Sequence, residues 1–141
     1  MDPVALGPER AALQRARLHL RGGRRRLAQG KISAGIVALA DALTSAMEWY
    51  CASAERFSRI QTTREVLLND RALYAALVQA SVLDGTFAFD RFDLVVDRAL
   101  EAELPAADAA GLIEGLESVF TQLGVLPFDE SELPPEDPRT F

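Results

Sequence analysis

The chain has 141 residues, about half of them hydrophobic, with one cysteine, one histidine and a formal charge of −6. That length supports one domain with a core of its own, without disulfides or metals. A single Cys51 excludes an intramolecular disulfide and a multi-cysteine zinc site. Alanine and leucine outweigh β-branched residues, which favours an all-α fold. The charge is unevenly placed: residues 1–31 carry +6, so the remainder carries −12. Such a division either neutralises itself within the fold or marks an anionic partner for the basic arm.

Residues 1–7 read as a frayed amino terminus, followed by a single helical domain over 8–126. Pro8 suits the first turn of a helix, and Leu13, Ala16, Leu20, Gly23 and Leu27 recur at alternating steps of three and four. The spacing predicts a helix from Pro8 to Gln29 with arginines around the rest of its surface. Gly22 and Gly23 fall inside it. Because Gly23 lies on the apolar seam, the pair predicts a close helix crossing rather than a break. Gly30 then stops the helix.

The second helix organises the rest. Ile32, Ile36, Leu39, Leu43, Ala46, Tyr50, Ala54 and Phe57 step by three or four, with Val37, Ala40, Met47 and Trp49 widening the apolar surface. It reads as one long central helix with neighbours on several sides, opened by a Ser33 cap and running to about Ile60. Asp41 and Glu48 make it a poor membrane span. Thr62 and Glu65 form a capping-box pattern for a third helix to about Leu83, with a break suggested at Asn69-Asp70. Phe87 and Phe89 read as a plug at the end of the core. Asp90 is expected to cap a fourth helix, whose inward face is Phe92, Val95, Val96, Ala99 and Leu100. A fifth runs from Ala106 to Leu123 and ends at Gly124. Residues 127–141 hold four of the seven prolines and a charge of −4, and read as a flexible, irregular acidic tail. Phe128, Leu133 and Phe141 could anchor it, with the basic first helix as the nearest complementary surface. The fold expected is a compact bundle of about five helices around the central one.

No convergent chemistry stands out. Asp90, Asp93, Asp97 and Glu101 share a helix face, but a di-metal bundle needs Glu-x-x-His motifs that this chain lacks. Cys51 sits in an apolar helix without a base beside it, and His19 lies among arginines. No phosphate-cradling loop, nucleophile elbow or dinucleotide fingerprint is present. The expectation is therefore no catalytic, cofactor or metal site and no membrane anchor, in a soluble protein of a bacterial-type cytoplasm.

The stretch Leu27-Ala28-Gln29-Gly30-Lys31-Ile32-Ser33-Ala34-Gly35-Ile36, with Ala40 and Ala42-Leu43 after it, resembles the middle of a tetratricopeptide repeat. The likeness covers only about Leu13 to Leu43, and no second copy follows at a 34-residue period. It implies one tightly packed helical hairpin. The chain is also broadly similar to small HEPN-type bundles, some of which are ribonucleases using an arginine, four to six residues, then histidine. Before His19 those positions hold Gln14, Leu13 and Ala12, so the likeness implies a bundle without that active site.

The function these features favour is a non-catalytic protein-interaction or adaptor module, self-association included. Its apolar contacts would centre on Trp49 and Tyr74. Two alternatives stand beside it. One is nucleic-acid binding through Arg15, Arg17, Arg21, Arg24, Arg25 and Arg26. The other is a small acidic chaperone-like partner for an exported or basic protein.

Overall fold

The computed structural model describes the backbone of residues 3–140 and the side chains of residues 7–139. Among the described residues six α-helices follow in order: α1 (Pro3–Ala28), α2 (Ile32–Ala52), α3 (Ala54–Ser58), α4 (Asp70–Gln79), α5 (Phe89–Glu101) and α6 (Leu112–Leu123). Four 3-10 turns lie between and after them, and no strand forms among the described residues. None of these helices is long and apolar enough to cross a membrane.

Helix α2 is central, as its wide apolar surface predicts. Ile36, Leu39, Leu43, Ala46 and Met47 are all buried, and α1, α4, α5 and α6 pack around them. The most extensive of these contacts is with α1. Its crossing is close because two glycines meet: a β-carbon at Gly23 would lie 3.2 Å from the Gly35 carbonyl oxygen, and one at Gly35 would lie 3.1 Å from that of Gly23. The expected crossing at Gly23 is therefore present, and Gly35 is its counterpart. The expected stops also form. Gly30 and Gly124 take φ of 80° and 93°, and Val125 N donates back to Phe120 O at 2.9 Å while its side chain is fully buried.

Several expectations are corrected. The compact all-α bundle of about five helices is present, with six α-helices among the described residues, because the central helix ends at Ala52 and not near Ile60. Ser53 turns to φ −89°, ψ 126° and its hydroxyl accepts from Arg56 N, starting the short α3. Arg56 explains why the chain turns here. Its guanidinium donates to the carbonyls of Trp49 and Tyr50 at 2.7 and 3.0 Å, two of the acceptors a helix end leaves open, and lies 4.2 Å from the Trp49 ring centroid. The third helix is likewise split. Residues Arg64–Leu68 form a 3-10 turn, and Asn69, in extended conformation, caps α4 by accepting from Ala72 N at 3.0 Å. Thr62 and Glu65 form no capping box. The fifth helix is shortened, since Gly111 takes φ 79° after a 3-10 turn at Ala106–Ala109.

Two proposed caps do other work. Ser33 lies inside the first turn of α2, where its hydroxyl donates to Ala102 O at 2.6 Å and accepts from Leu104 N at 2.8 Å. Ser33 N in turn donates to Glu103 at 3.0 Å, so this one residue fastens the α5–α6 connection to α2. Asp90 stands in the first turn of α5 and pairs with Arg71 at 3.0 Å instead of capping. Of the expected frayed stretch 1–7, Met1 and Asp2 lie outside the described residues, and the backbone is helical from Pro3 with an interruption at Gly7. Residues 127–139 are irregular apart from short 3-10 turns, and they follow α1. Phe141 lies outside the described residues.

Candidate functional site

The arginine face of α1 is largely occupied by the chain's own acids. Arg17, Arg21 and Arg25 stand one turn apart on a single face. Glu136 bridges two of them, its oxygens 3.1 Å from Arg21 Nε and 3.2 Å from Arg25 Nε, with both arginine side chains 15% exposed. Arg21 also donates to Pro134 O at 2.8 Å. Arg17 donates to Val125 O at 3.1 Å, sits 5.2 Å from the Phe128 ring centroid and reaches Glu132 at 4.0 Å. Arg24 pairs with Glu117 of α6 at 2.9 Å, and Arg15 with Glu48 of α2 at 3.4 Å across an exposed surface. Only Arg26, of the six, makes no ion pair among the described residues. The sequence's charge division is thus resolved mainly within the molecule.

The two aromatic candidates are separated by the fold. Trp49 is half-buried, covered on one face by Arg56 and approached by the Gly124 backbone. Tyr74 is a core residue: its hydroxyl donates to Phe87 O at 2.7 Å and its ring stacks on Phe89 at 5.1 Å. One edge of Tyr74 nevertheless lines a shallow apolar groove of about 510 Å³ with Ala75, Val78, Ala88 and Phe89.

A second groove, of about 530 Å³, lies between α5 and α6 beyond the same loop. Phe87, Val95, Leu112 and Gly115 line it, with Arg91, Leu94 and Arg98 along its α5 side. The two grooves share Ala88, so the loop between α4 and α5 forms a low saddle between them. Leu94 is 65% exposed and Leu100 66%. Leu100 was expected to face inward. It falls outside the buried stripe of Phe89, Phe92, Val95 and Ala99, which corrects that assignment. Sequence reasoning passed over Arg91 and Leu94. The available signal was Leu94 itself, an apolar residue off the inward stripe with Arg91 three residues before it and Arg98 four after.

Burial pushes the Cys51 thiol up to about 11, against the opposing fields of Arg64 and Arg56, so it stays protonated at neutral pH. His19 has no carboxylate partner among the described residues. Asp90 and Asp93 both pair with Arg71, and no three His, Cys, Asp or Glu side chains group as metal ligands among the described residues. Asp84 lies below the usual carboxylate range because the Thr86 backbone N–H and hydroxyl both donate to it, which fixes the turn leading to the saddle.

No protein-family model matches the chain, and neither a curated protein nor a solved structure matches it.

Proposed function

We infer that this protein is a non-catalytic interaction module that docks a protein partner on the face formed by α5, α6 and the saddle at Ala88. The observation that carries this reading is Leu94, left 65% exposed at the edge of a groove lined by both apolar and charged side chains. Beside it, Arg91 forms no ion pair among the described residues. A partner presenting an aliphatic side chain next to a carboxylate would bury the first and pair with the second. A second copy of the chain meets that chemistry, because Asp97 and Glu101 lie three and seven residues after Leu94 on the same helix face. The engagement of Arg17, Arg21, Arg24 and Arg25 by internal acceptors favours this reading over nucleic-acid binding.

A photo-crosslinking amino acid placed at position 94 tests it, alongside light scattering over a range of concentrations before and after nuclease and high salt. The expected result is one protein adduct of defined mass, a dimer or a heterologous complex, that Arg91→Glu abolishes. A chain that gives no protein adduct at position 94 and assembles only with nucleic acid would refute it.

A further inference from the structure

The tail's seat on α1 is built for a particular kind of ligand. Its cationic part is the ladder Arg17, Arg21 and Arg25, but charge is only one component. Leu133, between Glu132 and Pro134 that both touch α1, is 9% exposed, and Phe128 lies against the Arg17 guanidinium. Arg21 reads a backbone carbonyl, that of Pro134, as well as the Glu136 carboxylate. Leu133 is extended, with φ −97° and ψ 150°, and residues 134–137 after it form no helix or strand. An aliphatic anchor, a main-chain acceptor and a carboxylate three residues after the anchor together describe a polypeptide, since a nucleic acid supplies neither the leucine nor the peptide carbonyl.

The attachment is also suited to exchange. Up to Val125 the chain is held by the α6 stop, with Val125 N and Leu126 N both donating to Phe120 O. Beyond it, Leu133 is the one buried apolar residue of the tail among the described residues, and Glu132 and Glu136 carry ion pairs from the tail to α1. A tethered segment of this kind holds its seat largely through its high effective concentration.

We propose that the arginine face of α1 is a recognition surface for an extended acidic segment of another protein, carrying a leucine followed three residues later by glutamate, and that the chain's own tail occupies it as a built-in competitor. This surface is separate from the α5–α6 face, so either reading stands or falls alone.

The test uses the full-length chain and a fluorescent peptide with the sequence of residues 127–141, read by anisotropy. Wild-type protein is expected to bind it weakly, because the tethered tail competes. Full-length Leu133→Asp/Glu136→Lys, with its own tail released, is expected to bind at least ten-fold more tightly and to lose that gain when Arg21→Glu is added. A peptide with glutamine at the position of Glu136 should bind less well than the unaltered one. Should the double variant lose its helical circular dichroism, the single Glu136→Gln variant, which keeps Leu133 in place, replaces it with a smaller gain expected. Equal affinity of wild-type and released-tail proteins would overturn the proposal. So would displacement of the peptide by a single-stranded oligonucleotide of equal charge as readily as by unlabelled peptide, because the surface would then recognise anions in general.

Discussion

Replacing Gly22 and Gly23 by alanine, one at a time, is expected to move stability in opposite directions. Both residues are helical, so each substitution gains about 0.5–1 kcal/mol from backbone entropy. At Gly22 the new β-carbon would meet Arg26 Nη1 at 2.8 Å, the far end of a flexible side chain that can swing aside. The gain should survive and raise the melting temperature by roughly 2–4 °C. At Gly23 the same atom would lie 2.9 Å from both Cγ and Cδ2 of Leu39 and 3.2 Å from the Gly35 carbonyl oxygen. Leu39 is 2% exposed and the carbonyl belongs to α2, so neither can yield without moving a helix. Overpacking of that kind costs about 1–3 kcal/mol. The net expectation is a loss of about 0.5–2 kcal/mol, seen as a lower urea midpoint followed by circular dichroism. Gly35→Ala should be destabilising as well, since its β-carbon meets Leu27 at 2.7 Å and the Gly23 carbonyl at 3.1 Å. Once either substitution has pushed the helices apart, the second has less to displace, so the double variant should lose less than the sum. A Gly23→Ala protein as stable as Gly22→Ala, or strict additivity of Gly23→Ala with Gly35→Ala, would refute the steric account of this crossing.

Ser33→Ala strands the buried Leu104 N–H and the Ala102 carbonyl, and is expected to cost about 1–3 kcal/mol in chemical denaturation. Tyr74→Phe keeps the ring stack on Phe89 but removes the bond to Phe87 O, for a loss of about 1–2 kcal/mol by the same assay. For Cys51, burial raises the folded thiol to about 11 from an ordinary 9.0, and burial also raises Tyr74. A folded state that holds these protons more tightly than the unfolded one loses stability as pH rises. The Cys51 contribution is complete below pH 9 and declines until about 11, with Tyr74 adding in the same direction above 10. Urea midpoints should fall across that interval, and Cys51→Ala should flatten the fall. A pH-independent midpoint there would contradict the assignment. Native Cys51 should also resist thiol reagents at neutral pH and react once urea unfolds the chain.

Much of this fold is written locally. The steps of three and four that place Ile36, Leu39, Leu43 and Tyr50 on one surface are a property of the helix period, and any chain with that pattern must bury them together. Gly30 and Gly124 stop their helices because only a residue without a β-carbon enters the left-handed region at no steric cost. Gly23 could be assigned to a crossing since it interrupts an apolar seam. Its counterpart, Gly35, could not, because the register between two helices depends on every side chain along the contact.

The features that bear on function were settled by residues far apart in the chain. Ser53 ends α2 because Arg56 turns back onto the carbonyls of Trp49 and Tyr50, an outcome that no local propensity of serine dictates. Ser33 looked like a cap and became a fastening for residues about seventy positions away. In sequence, the arginines of α1 read first as half of an internal pairing and second as a ligand surface. Glu136, 115 residues from Arg21 along the chain yet 3.1 Å from it in space, is an internal acceptor that no sequence spacing predicts. Sequence alone determined which residues had to be buried and where the helices could stop, since those follow from period and backbone geometry. Which charges found each other, and which leucines were left outside, depended on how the helices packed, because a partner in space has no fixed spacing in sequence.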